Sequence, residues 1–328
     1  MKSVTQLLPF LKHRPSADRT DTAASRSILW IVIPVLAVML WFGLLASAWN
    51  KPLTVLVMGS DSRFGDPARS DTMLVLRADP WSGKLRGLSL PRDLYVELKG
   101  LPVRRTAKLN AALFYGDYYG TFEGIPAARE TVSDLIGVPT DGGIVVHMDL
   151  VKNLVDGLGG VEIYCEKPVA DPKFGSPTGD KIYPVRFEAG WNYLTGRRAL
   201  DFLRIRRPDT DFGRMSRNRA FLEGVFSRLS SPAGLVRLPF LLPEIKKGVS
   251  TDIGPIGQLR VAWAMARCLP GGIRWDTIER SEVLPQTIAT GAQVLVAEPG
   301  VLEQAGRVLT GEQPVNLAGT PESTLHLQ

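Results

Sequence analysis

Acidic and basic residues adjoin three short apolar runs in the first third of the chain. The runs 53–58, 72–76 and 85–90 predict buried strands, because each is short, apolar and bounded by turn residues. If these strands are neighbours, their ends meet at one edge of a sheet. The charged residues at those ends are Asp61, Arg63, Asp71, Arg92 and Asp93.

Carboxylates and arginines that meet in this way have two interpretations. One is ordinary surface ion pairing, which stabilises a protein by less than about 1 kcal/mol per pair. The other is a phosphate site, in which Asp61 and Asp71 hold a hard divalent cation and the arginines bind phosphate oxygens in bidentate fashion.

A second group of arginines favours the phosphate site. Residues 204–219 contain six arginines and two aspartates, a local charge of +4. Arg204 and Arg206 are two residues apart and would share one face of an extended segment. Arg214 and Asn218 are four residues apart and would share one face of a helix. Arginine in place of lysine suggests bidentate oxyanion binding, although the pattern does not identify the phosphate compound.

The composition excludes several classes of protein. The chain has 328 residues, 45% of them hydrophobic, and a formal net charge of +6, which is typical of a globular protein with an anionic partner. Two cysteines, Cys165 and Cys268, exclude a disulfide-dense scaffold and a zinc site made of cysteines alone, and buried free thiols are the preferred interpretation. A Ser-His-Asp hydrolase is disfavoured because it would depend on His147.

An uncharged stretch of 23 residues, 27–49, predicts a transmembrane helix about 34 Å long. A cleavable signal peptide is the alternative, but the run is long and follows a polar tail of 26 residues, so a retained signal anchor is favoured. Basic residues are concentrated before the stretch, which places residues 1–26 in the cytoplasm and everything after residue 49 outside it. The localisation is therefore the cell membrane, crossed once, which makes nucleic acid a poor partner.

The remainder of the chain alternates between strand and helix patterns. This alternation predicts an α/β fold, a three-layer α/β/α domain with a central mixed sheet, in addition to the transmembrane helix. We assign residues 50–312 to this extracytoplasmic domain and residues 313–328 to a flexible tail. The proline-rich segment 231–243 is predicted to be a surface excursion within the domain.

Six motifs in order resemble those of the LytR-CpsA-Psr family, over a core of residues 53–229. A single N-terminal membrane helix is also typical of that family. The motifs are SDSR at 60–63, RSDT at 69–72, LPRD at 90–93, KLNAAL at 108–113, LVDGLGGVEI at 154–163 and LTGRRALDFLRIRRPDTDFGRMSRNR at 194–219.

The resemblance implies a membrane-anchored phosphotransferase. Such an enzyme moves a glycopolymer with its phosphate from a polyprenyl-pyrophosphate lipid to a cell-wall hydroxyl, commonly of peptidoglycan, with Mg²⁺ or Mn²⁺. Its partners would be the lipid-linked glycan donor, the peptidoglycan or another envelope acceptor, and the lipid bilayer. Two alternatives are a non-catalytic regulator that binds polyprenyl phosphate and a polyprenyl-pyrophosphate pyrophosphatase in which water replaces the acceptor hydroxyl.

The resemblance also assigns roles to individual residues. Asp61 and Asp71 would be metal ligands, and Asp71 or Asp93 would accept the proton of the acceptor hydroxyl. Asp93 and Asn110 would orient Arg92 and Lys108, and Asn218 stands where the family usually has glutamine. The residues implied in pyrophosphate binding are Arg63, Arg92, Lys108, Arg204, Arg206, Arg214, Arg217 and Asn218.

Overall fold

The fold is given by a computed structural model that describes residues 21–60, 69–120, 123–175, 182–205 and 211–313. Only the backbone of residues 21–34 is described. The chain divides into two units, residues 1–49 and 50–328. In the first unit, helix α1 covers Asp21–Trp49. Among the residues described, no helix is both long enough and apolar enough to cross a membrane.

The second unit contains strands and helices in mixed order. Its described strands are β1 (Leu53–Ser60), β2 (Ser70–Asp79), β3 (Lys84–Ser89), β4 (Tyr95–Leu98), β5 (Arg105–Lys108), β6 (Gly142–His147), β7 (Val161–Cys165), β8 (Val169–Gly175), β9 (Ile182–Phe187), β10 (Gly190–Leu194), β11 (Val249–Thr251), β12 (Ile273–Thr277), β13 (Val283–Thr287) and β14 (Gln293–Ala297). Its described α-helices are α2 (Ala111–Tyr119), α3 (Gly124–Ile136), α4 (Met148–Leu158), α5 (Gly196–Arg204), α6 (Asp211–Ser230), α7 (Pro232–Gly248), α8 (Pro255–Cys268) and α9 (Val301–Thr310).

The central sheet has six strands in the order β11-β6-β1-β2-β3-β12. Strand β1 is parallel to β6 and antiparallel to β2, so the sheet is mixed. The predictions of an α/β fold and of a central mixed sheet are confirmed. Alternate side chains of the strands point to opposite faces, and each face carries its own apolar core.

Helices cover both faces of this sheet. On one face, Leu56 and Met58 of β1 belong to a core that includes residues of α2, α3 and α9. On the other face, Leu53 and Val55 belong to a core that includes Ala264 and Cys268 of α8. Both cysteines are free and buried, and burial raises the pKa of both thiols.

A separate apolar core lies between α4, α5, α6, α7 and the hairpins that precede α5. It contains Phe174, Phe187, Phe202 and Leu241, and the rings of Phe187 and Phe202 meet edge to face at 4.9 Å. Burial of large aromatic side chains is a major source of stability. This core, called the lateral core below, borders the charged edge of the sheet.

Two local predictions are wrong. The segment predicted as a surface excursion is helix α7, which contains Pro239 and Pro243. Ser231 caps its first turn by accepting a hydrogen bond from the Gly234 N–H at 3.1 Å, and buried Leu241 packs into the lateral core. Tertiary packing thus outweighs the helix-breaking tendency of proline. Arg204 is not in an extended segment but is the last residue of α5.

Candidate functional site

The strand register brings the predicted charged residues to one edge of the sheet. Gly59 of β1 is opposite Thr72 of β2, which places Asp71 beside the end of β1. The backbone N–H of Leu90 donates to the Met73 carbonyl at 3.0 Å, so the chain that follows β3 remains at the same edge. Arg92 and Asp93 come directly after it. Asp61 and Arg63 lie outside the described residues.

Arg92 is the centre of a network of charged side chains. Its Nη1 atom contacts the Asp71 carboxylate, and its Nε atom donates to Asp211 Oδ1 at 2.9 Å. Asp93 Oδ2 lies 3.9 Å from the same Nε atom. Three carboxylates therefore surround the Arg92 guanidinium. Because the five N–H donors of a guanidinium have a rigid planar geometry, these contacts fix the orientation of its plane.

Lys108 extends the network from β5. Its Nζ atom lies 2.7 Å from Asp93 Oδ1, so Asp93 contacts both Lys108 and Arg92. Asn110 acts through its backbone, because its N–H donates to the Arg92 carbonyl at 3.0 Å and its carbonyl accepts from the Ser70 N–H at 3.2 Å. Its side-chain Oδ1 is buried without a hydrogen-bond partner among the described residues.

Helix α6 supplies three polar residues on one face. Asp211, Arg214 and Asn218 are separated by three and four residues, which is one helical turn. Arg214 Nη2 lies 3.6 Å from Asp71 Oδ1 and 3.7 Å from Asp211 Oδ1. Asn218 donates to Thr72 Oγ1 at 2.7 Å. The predicted pairing of Arg214 and Asn218 on one helix face is therefore present.

Asp71, Thr72, Arg214 and Asn218 border a cavity of about 320 Å³. Three cationic and two acidic side chains contribute to its wall, and apolar side chains complete it on the side of the lateral core. The lining residues are Asp71, Thr72, Met148, Asp171, Lys173, Phe174, Gly175, Leu203, Arg204, Arg214 and Asn218. A cavity with cationic and apolar walls suits a ligand with an anionic group and an apolar part.

Sequence reasoning left three charged residues of this site without a role. Asp211 stands three residues before Arg214 at the start of a helix, a spacing that would have indicated their proximity. Asp171 and Lys173 belong to the hairpin β8–β9, and no local pattern links that hairpin to the sheet edge.

The sequence of this chain is similar to those of known proteins. Residues 39–298 match the LytR_cpsA_psr family. The chain belongs to the LytR_cpsA_psr family. Over 206 residues it is 32% identical to the polyisoprenyl-teichoic acid–peptidoglycan teichoic acid transferase TagU of Bacillus cereus (strain AH820), a match that covers 62% of this chain and 61% of TagU. The chain thus spans about three fifths of that relative's length.

Solved structures show the same LytR_cpsA_psr fold. The crystal structure of B. subtilis TagV aligns with 80% of this chain and 97% of its own, with a TM-score of 0.63 and 24% identity. The structure of TagT bound to LIIa-WTA aligns with 80% of this chain and 91% of its own, with a TM-score of 0.61 and 18% identity. At these identities the structures establish the fold alone.

Arg217, predicted from the family motif to bind pyrophosphate, is placed elsewhere. Its side chain is buried, and its guanidinium donates to the carbonyls of Phe202 at 3.1 Å and Ile205 at 2.6 Å. Burial lowers its pKa to about 10. Arg217 precedes Asn218 by one residue, a rotation of about 100° around the helix, so its side chain points to the end of α5 instead of the cavity. Its role in this structure is to hold the last carbonyls of α5.

The described residues contain part of a possible cation site. Asp71 lines the cavity, and Asp211 Oδ2 is a buried oxygen without a hydrogen-bond partner in the described part. Oxygen donors of this kind suit Mg²⁺ or Mn²⁺. No group of three or more acidic, histidine or cysteine side chains that could hold a metal occurs among the described residues. Asp61, the second predicted ligand, and Arg206 lie outside them.

Proposed function

We propose that this protein is a phosphotransferase that moves a glycopolymer phosphate from a polyprenyl-pyrophosphate lipid to a hydroxyl group of peptidoglycan or another envelope polymer. The observation that carries the proposal is the cavity, which is lined both by charged side chains such as Arg204, Arg214 and Asp71 and by the apolar side chains of Met148 and Leu203. A lipid pyrophosphate combines the anionic and apolar groups that these walls would bind. The relative TagU is a polyisoprenyl-teichoic acid–peptidoglycan teichoic acid transferase, which supports the same donor and acceptor classes for this chain.

The arginines would perform the main chemical task. In phosphoryl transfer the protein positions the reactants and neutralises the negative charge that develops, so a nucleophilic side chain is unnecessary. Arg204 and Arg214 line the cavity and would bind pyrophosphate oxygens. Arg92 contacts Asp71 and would act on the ligand indirectly, by positioning the Asp71 carboxylate. Each arginine offers a planar pair of donors that matches two phosphate oxygens.

A divalent cation, Mg²⁺ or Mn²⁺, would add charge neutralisation at the pyrophosphate when bound. Asp71, with Asp61, would hold it. Asp93 contacts Lys108 and Arg92, so we assign it an orienting role. Asp71 lines the cavity and is the better placed of the two as the acceptor of the hydroxyl proton. Its exposed side-chain fraction of 23% leaves it accessible to a ligand.

We also propose that residues 27–49 anchor the protein in the cell membrane. The stretch is uncharged over 23 residues and lies within helix α1, whose side chains are described only from residue 35 onward, so the finding on membrane-crossing helices does not cover the whole stretch. Basic residues before it favour a cytoplasmic tail of residues 1–26 and an extracytoplasmic domain of residues 50–312. A tether of this kind keeps the cavity beside a donor that cannot leave the bilayer.

The test uses the full-length protein reconstituted with a polyprenyl-pyrophosphate-linked sugar, Mg²⁺ and soluble peptidoglycan fragments. Wild-type protein should release polyprenyl phosphate and attach the sugar phosphate to the fragment. Arg92→Ala and Arg204→Ala should abolish release while the circular dichroism spectrum is unchanged. Arg186→Ala is the matched control, because Arg186 is exposed on β9 and pairs with Glu188.

Each result of this test decides between functions. Turnover retained in both Arg92→Ala and Arg204→Ala would refute the catalytic role of the arginines. Release of the sugar phosphate into water without attachment would identify a pyrophosphatase. Donor binding without turnover by the wild-type protein would favour a lipid-binding regulator.

A further inference from the structure

Four aromatic side chains, two half-buried and two exposed, adjoin one another on one face of helix α2. The ring centroids of Phe114 and Tyr118 are 5.9 Å apart with planes inclined by 15°. Those of Tyr115 and Tyr119 are 6.1 Å apart and inclined by 21°. The two stacked pairs meet edge to face, at 5.2 Å and 5.1 Å. We call these four residues the aromatic ladder.

The two C-terminal residues of the aromatic ladder are exposed, and Arg105 contacts both members of one stacked pair. Tyr118 is 65% exposed and Tyr119 is 37% exposed. Arg105 of β5 lies over the Tyr115 ring at 3.8 Å, and its Nη1 atom donates to the Tyr119 hydroxyl at 3.0 Å. Adjoining exposed aromatic side chains such as Tyr118 and Tyr119 are typical of interaction sites. Rings that are already held in place lose little conformational entropy when they bind a ligand.

The aromatic ladder is joined to the charged network through the start of α2. Lys108 contacts Asp93 at 2.7 Å, and the backbone of Asn110 bonds to Arg92 and Ser70. Helix α2 follows directly, and its nine residues extend about 13 Å from this point. The distance is comparable with the length of a short oligosaccharide.

We propose that the aromatic ladder binds pyranose rings of the acceptor glycan strand and delivers its hydroxyl to the charged network. The proposal rests on the function proposed above. A pyranose ring has one apolar face of C–H groups and a rim of hydroxyls. Tyrosine complements both, because its ring is flat and apolar and its hydroxyl forms hydrogen bonds.

The contacts described connect the aromatic ladder to the charged network, and the acceptor hydroxyl must reach that network, so we take the acceptor as the source of these sugars. In phosphoryl transfer the attacking and leaving oxygens are roughly in line with phosphorus, so acceptor and lipid phosphate approach from opposite sides. The apolar wall of the cavity lies on the side of the lateral core. Asp71, which lines the cavity, contacts Arg92. Asp93 contacts both Arg92 and Lys108, and helix α2, which carries the aromatic ladder, begins three residues after Lys108.

The test compares Tyr118→Ala with Tyr118→Phe in the full-length protein. Tyr118 touches only its ladder neighbours in the contacts described. Two quantities are measured: direct binding of soluble peptidoglycan fragments, and the KM values for fragment and for lipid-linked donor. We expect Tyr118→Ala to weaken fragment binding and to raise the acceptor KM at least tenfold. The donor KM and the rate of polyprenyl phosphate release into water should be unchanged. Tyr118→Phe keeps the ring and loses only the hydroxyl, so its effect should be smaller than that of Tyr118→Ala.

Trp191→Ala is the matched control, because Trp191 is an exposed aromatic residue on β10. The proposal is overturned if Tyr118→Ala leaves fragment binding unchanged. It is also overturned if this variant raises the donor KM and not the acceptor KM, or if it weakens binding to vesicles of anionic phospholipid and not binding to the fragments. Direct fragment binding tests the aromatic ladder even if the wild-type protein shows no transfer. A failure of the proposed function can therefore be distinguished from a failure of the ladder to bind glycan.

Discussion

Asp211→Asn separates positioning of Arg92 from binding of the donor. Asp211 Oδ1 accepts a hydrogen bond from Arg92 Nε at 2.9 Å and lies 3.7 Å from Arg214 Nη2. Asparagine has the same shape as aspartate but no charge. The substitution therefore keeps an acceptor next to Arg92 and removes the charge that strengthens the bond.

The expected loss follows from the type of bond. A hydrogen bond to a charged group contributes about 1.5–3 kcal/mol, whereas a neutral one contributes about 0.5–1.5 kcal/mol. The difference is about 1–1.5 kcal/mol, which corresponds to a decrease in kcat of about tenfold. Asp211→Ala removes the acceptor altogether and should decrease kcat by about 10- to 100-fold.

The same substitution should not weaken binding of the donor. Removal of a negative charge makes the site more cationic, and an anionic pyrophosphate is then attracted at least as strongly as before. We therefore expect kcat to fall while the donor KM stays constant or decreases. A substitution that merely disturbed the fold would lower the active fraction and would not lower KM.

The assay is release of polyprenyl phosphate at several donor concentrations, normalised to folded protein. Asp252→Asn is the control, because Asp252 also pairs with an arginine, Arg129, and accepts from the Gly143 N–H at 2.8 Å. It should lower stability without changing kcat per folded molecule. An unchanged kcat in Asp211→Asn, or a raised donor KM with constant kcat, would refute the positioning role.

Three further predictions follow from the same structure. Arg217→Lys keeps a buried cation but cannot reach the carbonyls of both Phe202 and Ile205, so the free energy of unfolding in urea should fall by about 1.5–3 kcal/mol; an unchanged value would contradict the structural role. Cys165 and Cys268 should react with a thiol reagent at pH 8 only after denaturation, and rapid labelling of native protein would show that they are accessible. Because burial raises both thiol pKa values above 9.0, their contribution to stability is complete below pH 9 and is lost as the pH rises through the folded-state pKa. The urea midpoint should therefore fall more between pH 8 and pH 10 for wild type than for the double alanine variant.

Much of the sheet was predictable from the sequence. Strands β1, β2 and β3 are short apolar runs bounded by turn residues, and hydrophobic periodicity is a local property. The charged residues at their ends could be placed at one edge, because adjacent antiparallel strands necessarily share their ends. Asp71, Arg92 and Asp93 were therefore identified as candidate site residues before any contact was known.

Elements that depend on distant packing were not predictable. Helix α7 contains Pro239 and Pro243, which locally indicate a break, and it is held by the packing of Leu241 in the lateral core. The hairpin β8–β9 brings Asp171 and Lys173 to the cavity across more than 90 residues from Asp71. Local propensity carries no information about contacts at such separations in sequence.

Residues 204–219 show what the sequence determines and what only the tertiary structure decides. The sequence by itself determined that residues 204–219 are rich in arginine and that Arg214 and Asn218 share a helix face, because spacing along a helix fixes relative direction. Only the tertiary structure decided which face of α6 meets the cavity. It assigned Asp211 to Arg92 and Arg217 to the carbonyls of α5, because helix rotation is set by burial of the apolar face against the rest of the molecule.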